Sequence, residues 1–305
     1  MKIFTIIVTY NAMHRGWIDR CMKSLHESTV GTTAIIIDNG STDETREHVP
    51  SHYPEAIWMP QEKNLGFGQA NNLGIRYALE HNADYVLLLN QDAAISPDAI
   101  EKMLAVSDGE SLLSPLHLNG DGTRIDEILR YSLLRAHNLM NDDLLIRHKL
   151  EACYQVGEIC AACWLMPIAV IKKIGGFNPL FFHYGEDNNY DHRMQFHKVK
   201  TLLIPNAFMM HDRKLQGNVQ MWNHKRLRRD LLLEATNINQ GIIKCMWRWV
   251  KILVRCYNKD LRQQQYHIGA FTLEILWIIC HVNSIRLSRI REKRIGATWL
   301  ERPFR

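Results

Sequence analysis

Tyr85-Val86-Leu87-Leu88-Leu89 is a run of five apolar residues that stops abruptly on Asn90-Gln91-Asp92. An unbroken apolar run of this length reads as a strand buried on both faces, the signature of a parallel sheet covered by helices. Small residues and Ser96-Pro97 follow, a helix-start signal. Ligands of open α/β sheets bind outside the carboxyl ends of the strands. A carboxylate at that edge can hold a hard divalent cation, and the cation a diphosphate. A lone aspartate there is more often a turn residue, so the weight of Asp92 depends on what the other strand ends carry.

Those ends carry matching chemistry. Ile3 to Val8 is almost wholly apolar and ends on Thr9-Tyr10-Asn11, and Ile18, Cys21, Met22 and Leu25 then recur at helical spacing. A second strand, Ala34 to Ile37, ends on Asp38-Asn39-Gly40, a turn whose following Ser/Thr/Asp cluster caps the next helix. A short strand around Ile57 leads into Asn64-Leu65-Gly66-Phe67-Gly68, with Asn71 and Asn72 beyond. The glycines admit close approach of backbone to a ligand and the asparagines offer amide donors; Gly-x-Gly alone reads as a plain turn. The order β-α-β-α-β-α-β predicts a parallel, doubly wound sheet with a nucleotide site along one edge. The chain has neither a phosphate-loop lysine motif nor the six-residue dinucleotide glycine fingerprint, so a metal is the expected holder of the diphosphate.

Taken together, Ile6-Ile7-Val8-Thr9-Tyr10-Asn11, Asp38-Asn39-Gly40-Ser41-Thr42-Asp43, Asn64-Leu65-Gly66-Phe67-Gly68 and Leu89-Asn90-Gln91-Asp92 resemble the donor-side motifs of the family 2 glycosyltransferases, in order and spacing. Within that family the chain most resembles the bacterial rhamnosyltransferase-like branch that builds surface polysaccharides. The resemblance implies a GT-A fold, an α/β architecture with a mainly parallel central sheet flanked by helices. It assigns nucleoside contacts to Thr9, Tyr10 and Asp38, with Asp38 accepting from a ring N–H of the base, and places Asn11 and Asn39 in the same donor-binding site. Gly66, Asn71 and Asn90 would line the nucleotide-sugar site. Asp92 would be the last aspartate of the family's Asp-x-Asp motif and bind Mg²⁺ or Mn²⁺. Asn90 stands where that motif has its first aspartate, which leaves more of the metal's coordination to water and phosphate.

A second informative stretch is Gly176-Phe177-Asn178-Pro179-Leu180-Phe181-Phe182-His183-Tyr184-Gly185-Glu186-Asp187. It delivers two carboxylates to the start of a helix expected over Asp187 to His197, which carries Arg193. Read alone, this is a negative helix N-terminus complementing the dipole. It also resembles the family's acceptor-side motif, in which the aspartate, here Asp187, is the general base and Glu186 orients it. Asn188-Asn189-Tyr190 depart from that pattern, since the family shows an apolar residue, Asp and Leu there. His211, after the strand expected at Thr201 to Ile204, reads as structural from its setting; the resemblance places it at the metal or the diphosphate. The resemblance as a whole implies inverting transfer of a sugar from a nucleoside-diphosphate donor to a saccharide hydroxyl, the acceptor being lipid-linked.

A further strand is expected at Leu112 to Leu116; Gln155 to Met166, rich in small residues, enters the fold again, and a helix follows at Ile168 to Ile174, stopped by Gly175-Gly176. Ile125 to Leu150 carries no motif. Residues 1–221 hold 20 Lys+Arg against 26 Asp+Glu, whereas 222–305 hold 17 against 6. An acidic body, residues 1–220 (nucleotide-sugar half 1–100, acceptor half 101–220), is therefore expected to carry a basic helical extension, 221–305. Tryptophans and basic clusters in that extension suit contact with an anionic membrane surface, against the plainer reading of a helical cap with a solvated basic face. Its longest apolar stretch, Ile268 to Val282, is interrupted by Glu274 and is shorter than the ~20 residues that cross a bilayer. The seven cysteines follow no disulfide or zinc spacing and read as reduced. With no leader at the N-terminus, the expected place is cytoplasmic, peripheral at the inner face of the membrane. No nucleic-acid module is visible, and a homodimer through the C-terminal helices is a further expectation. Two rivals stand beside this reading. A sugar nucleotidyltransferase would show a basic glycine loop near its N-terminus; a silent nucleotide-sugar-binding scaffold of a membrane assembly would account for Asn90 and Asn189.

Overall fold

The computed structural model describes residues 1–135, 140–213, 224–262, 268–296 and 298–301. The first half follows the expected alternation: β1 (Ile3–Thr9), α1 (Trp17–His26), β2 (Thr33–Asp38), α2 (Thr45–His52), β3 (Ile57–Trp58), α3 (Phe67–Glu80) and β4 (Tyr85–Leu89). β1 lies between β2 and β4, and all of its pairings are parallel, as is that of β2 with β3. Alternate side chains of these strands enter two separate cores. Ile6, Ile35, Ile37, Val86 and Leu88 pack on one face; Ile7, Ile36, Leu87 and Leu89 pack on the other. Both faces being covered is why the strands read as unbroken apolar runs.

Beyond β4 come β5 (Ala93–Ile95), α4 (Ala99–Ala105), β6 (Leu112–Asn119), α5 (Glu127–Arg135), the single turn α6 (Met140–Asp142), β7 (Tyr154–Val156), β8 (Cys163–Pro167), α7 (Ile168–Ile174), α8 (Glu186–Phe196) and β9 (Thr201–His211). Among the described residues the sheet has nine strands in the order β3-β2-β1-β4-β8-β6-β9-β5, with β7 also on β9. Here the sheet departs from the parallel pattern. β8 runs antiparallel to both β4 and β6, and β9 is parallel to β6 but antiparallel to β5 and β7. The sheet is thus parallel from β1 to β4 and mixed beyond. The strand expected at Thr201 to Ile204 continues through Pro205 to His211, with an irregularity opposite at Pro115/Leu116 where the register shifts. A proline is tolerated at such a break because the ladder hydrogen bond is already lost.

The extension consists of α9 (His224–Thr236), α10 (Ile242–Arg262), α11 (Ile268–Cys280) and α12 (Val282–Glu292). The expected boundary at 220–221 lies outside the described residues. α9 is the hub: Leu227, Leu231, Leu232 and Ala235 pack with Phe181 of the body, with Ile278 of α11 and with Ile285 of α12. The extension is therefore packed against the body through a third hydrophobic cluster.

The Asn64–Gly68 motif and the Gly176–Asp187 stretch meet directly. Gly66 precedes α3 at φ +83°, and a Cβ there would collide with the Phe182 carbonyl oxygen. A Cβ on Gly68 would lie 2.8 Å from Cβ of Phe177 and 3.5 Å from Cβ of Glu186. Gly66→Ala combines an unfavourable φ with that collision. It is expected to lower stability by more than ~1 kcal/mol, read by urea denaturation with an unchanged m-value.

Candidate active site

Parallel register places Thr9 opposite Asp38, and both are fully buried at the carboxyl edge of the sheet. A buried carboxylate needs donors. Asp38 takes them from the Ser41 N–H at 3.3 Å and from Arg46 Nε at 2.9 Å, while Arg46 Nη2 donates to the Gln61 carbonyl at 2.6 Å. Tyr10 and Gln91 exchange a pair of bonds, Tyr10 N–H to Oε1 at 2.9 Å and Nε2 to the Tyr10 carbonyl at 3.1 Å, which ties the end of β1 to the end of β4. The Tyr10 ring stays 45% exposed, a face on which a base can stack. Asn11 and Asn39 serve as loop clips: Asn11 Oδ1 accepts from Thr42 N–H at 2.8 Å, and Asn39 Oδ1 from Leu65 N–H at 2.8 Å. Asn71 is buried and donates to the Phe67 carbonyl of its own helix at 3.0 Å.

The short strand β5 assembles the second part. It pairs Ala93 with His211, and Asp212 N–H donates to the Asp92 carbonyl at 2.9 Å. His211 Nε2 thereby sits 3.2 Å from Asp92 Oδ1 and 3.5 Å from Asn90 Nδ2. Two buried polar atoms there have no partner, Asn90 Oδ1 and His211 Nδ1. One carboxylate, one imidazole and one orphaned amide oxygen suit Mg²⁺ or Mn²⁺. No group of three or more His, Cys, Asp or Glu able to hold a metal occurs among the described residues. The residues present fit a cation that takes most of its coordination from phosphate and water.

The third part opens α8. Gly185, at φ +95°, turns the chain into the helix, and Glu186 and Asp187 occupy its first turn. Glu186 is 5% exposed, and one of its oxygens has no partner. Burial, and then the neighbouring Asp187 charge, push its pKa up to about 8, against a smaller pull from Arg229. Burial also raises Asp187. The N–H groups of Asn188 (2.9 Å) and Ala161, together with the Arg213 charge, act in the opposite direction and favour its ionised form. Two adjacent carboxyls are thus held with unequal help: at neutral pH Glu186 keeps its proton and Asp187 has the donors.

Between Asp92–His211 and Asp187 lies a cluster that no single motif announces. His117 is buried and neutral, its pKa lowered to about 3 by burial and by the nearby His211. Its Nε2 is 3.0 Å from Ser114 Oγ, and its Nδ1 is 3.6 Å from Cys160 Sγ. Arg213 donates through Nη2 to that sulfur at 3.1 Å and through Nε to Asp126 at 2.8 Å. Cys160 in turn feels the Asp187 charge and is pushed up to about 11, chiefly by burial. Arg213 is the member that sequence could have offered, as a basic residue two positions after His211.

The sequence model described as "Glycosyl transferase family 2" matches residues 5–175, more than half of the chain. The chain belongs to glycosyl transferase family 2. Among curated relatives, a low-salt glycan biosynthesis hexosyltransferase of Haloferax volcanii is 28% identical over 197 residues, 62% of this chain and 60% of that one. An N-acetylglucosaminyl-diphospho-decaprenol L-rhamnosyltransferase of Mycobacterium tuberculosis is 25% identical over 218 residues, 64% of this chain and 71% of that one. This chain thus spans less than two thirds of the haloarchaeal relative. Solved structures share the fold. A Pyrobaculum calidifontis mannosyltransferase in complex with GDP-Man and Mn²⁺ superposes with a TM-score of 0.58 at 14% identity, over 95% of this chain and 84% of that one. S. aureus TarS 1-349 in complex with UDP-GlcNAc gives 0.55 at 16% identity, over 96% and 81%. The fold is the GT-A arrangement. The family match ends before Asp187 and His211, so the assignments of these two residues rest on the geometry above.

Glu186 also couples stability to pH. Its folded pKa of about 8 lies above the ordinary 4.5, so the folded chain holds a proton that the unfolded chain has lost. Its contribution is fully present below about 4.5 and is lost as pH rises through about 8. The thermal midpoint should fall across that window, and Glu186→Gln should flatten the fall; midpoints recorded from pH 5 to 9 on both proteins test this.

Proposed function

We propose that this glycosyltransferase moves a sugar from a nucleoside diphosphate to a saccharide hydroxyl with inversion at the anomeric carbon. The observation that carries the reading is the placement of two unlike carboxylate sites at one sheet edge: Asp92 with His211 and Asn90 on the donor side, Asp187 with Glu186 at the start of α8. Asp38 and the exposed Tyr10 ring receive the nucleoside, and Gly66 lets the loop before α3 lie against the Phe182 backbone. A cation bound by Asp92, His211 and Asn90 would neutralise charge on the diphosphate. Asp187 accepts the proton of the acceptor hydroxyl as that oxygen bonds to the anomeric carbon. The bond to the diphosphate breaks, and the nucleoside diphosphate leaves with the electron pair. Glu186, carrying its own proton, adds no second negative charge beside the base and holds the carboxyl pair in place. Asp187→Asn should leave donor affinity near wild type and cut transfer by ~10²–10⁴-fold. Calorimetric titration with nucleoside diphosphates and Mn²⁺ on wild type and Asp92→Ala tests the donor side: metal-dependent binding lost in the variant supports the site. Transfer within a few-fold of wild type in Asp187→Asn would remove that residue from the base role.

We also infer that the acceptor is presented at a membrane and that α10 is the surface that meets it. The support is a division of the helix into three faces. Cys245, Trp249, Ile252, Leu253 and Cys256 turn inward to the extension's core. Ile243, Met246, Trp247, Val250, Val254 and Tyr257 form an exposed apolar stripe, each at least half exposed. Lys244, Lys251 and Arg255 stand on the remaining, solvated side. No helix among the described residues is long and apolar enough to cross a membrane. An apolar stripe flanked by lysine and arginine instead suits a helix lying in the headgroup region of an anionic bilayer. The lipid-linked acceptor named for the mycobacterial relative agrees with such a location. Val250→Glu with Trp247→Ser should weaken sedimentation with phosphatidylglycerol vesicles at least ~10-fold while sparing transfer to a soluble acceptor. Unchanged sedimentation would rule out α10 as the contact.

A further inference from the structure

Arg193 lies on α8 two turns beyond the carboxylate pair and is 1% exposed. Its guanidinium donates to the carbonyls of Gly176 (2.6 Å) and Ile174, and it stacks 5.0 Å from the Tyr190 ring. A buried guanidinium strongly favours a nearby counter-charge. On a helix the local place for one is four residues earlier, and there the chain has the neutral Asn189. Burial lowers the pKa of Arg193, and the charge that acts against it is that of Glu292, at the end of α12, ninety-nine residues along the chain. Arg193 Nε and Glu292 Oε2 are each buried without a hydrogen-bond partner. Glu292 is 1% exposed, so it too has left water. Its Oε1 accepts from Asn178 Nδ2 at 2.7 Å, and the same amide lies 2.7 Å from Ser288 Oγ. Burial raises the pKa of Glu292, and the Arg193 charge with the side chains of Asn178, Asn189 and Ser288 acts against that rise; a His197 ring nitrogen lies 2.7 Å from the Glu292 carbonyl oxygen. Asn178 belongs to the stretch that leads into Glu186-Asp187, and Asn189 and Arg193 to the helix that follows them.

We propose that Glu292 is a positioning residue for Asp187: the C-terminal extension supplies the counter-charge that α8 lacks at position 189, and so fixes the helix that presents the base. The helix and its approach are pinned by carbonyls on one side (Ile174, Gly176) and by α12 on the other. This rests on the reading of Asp187 as the base. The extension is on this account part of the acceptor half of the site, besides any contact with a membrane.

The test relocates the charge. Glu292→Gln should lower kcat at least ten-fold with the donor KM within two-fold of wild type. Asn189→Asp alone puts a second carboxylate beside Glu292 and should lower the thermal midpoint. In the Glu292→Gln background the same Asn189→Asp should raise the midpoint and restore kcat to within about three-fold of wild type, through an i,i+4 pair with Arg193. That reversal of sign supports the proposal. A double variant no more active than Glu292→Gln overturns it, as does Glu292→Gln with wild-type kcat. If Glu292→Gln is recovered only unfolded, a folded double variant supports the proposal and an unfolded one overturns it. Asp187→Asn is assayed alongside. Loss of transfer there, without rescue in the double variant, defeats the positioning role alone; full transfer there defeats the base assignment and the positioning role with it.

Discussion

The pairing of β1 between β2 and β4 is the constraint from which the rest of the site follows. Because all three strands run the same way, their loops emerge at one edge, and the register sets Thr9 beside Asp38. Groups delivered to that edge sit over the closed end of two hydrophobic cores and lose water. Each carboxylate there consequently has dedicated donors: Ser41 and Arg46 for Asp38, the N–H groups of Asn188 and Ala161 for Asp187. Glu186 has fewer, and burial leaves it protonated. The acid–base character of the site is a matter of which buried carboxyl is supplied with hydrogen bonds.

What could be read in the sequence was local. The runs in β1, β2 and β4 are apolar because both faces are covered, and the polar residues that end them sit beside them in the chain. The motif that opens α8 is equally contiguous. The mixed half of the sheet was less legible. β5 has only three residues, too few for a pattern, yet it brings His211 to Asp92. β9 runs through Pro205, which as sequence ends a strand, and only the break opposite at Pro115/Leu116 accounts for its continuation. His117, Cys160, Arg213 and Asp126 meet across distant segments, and Glu292 takes the Asn178 amide from the end of the extension. Charges whose partners lie a hundred residues away leave no periodic trace.

The extension reads differently in three dimensions than as a basic tail. α9 carries the contact with the body, and α12 reaches the helix that holds the acceptor-side carboxylates. α10 keeps a large apolar stripe in solvent, an arrangement that costs solubility unless something covers it. Of the large apolar side chains that are exposed among the described residues, most lie between Ile242 and Ile295.

Gly66 and Phe182 touch backbone to backbone, the loop before α3 against the segment that leads into Glu186-Asp187. Contact of that kind has no side chain to trim or regrow when one partner changes. A chimera that kept the first hundred residues and took its acceptor half from a relative would have to reproduce the path of the main chain at Phe182, whatever side chain stood there. Sequence change is then easiest in segments that leave this seam alone, and the two stretches, though separable on paper, inherit as one part.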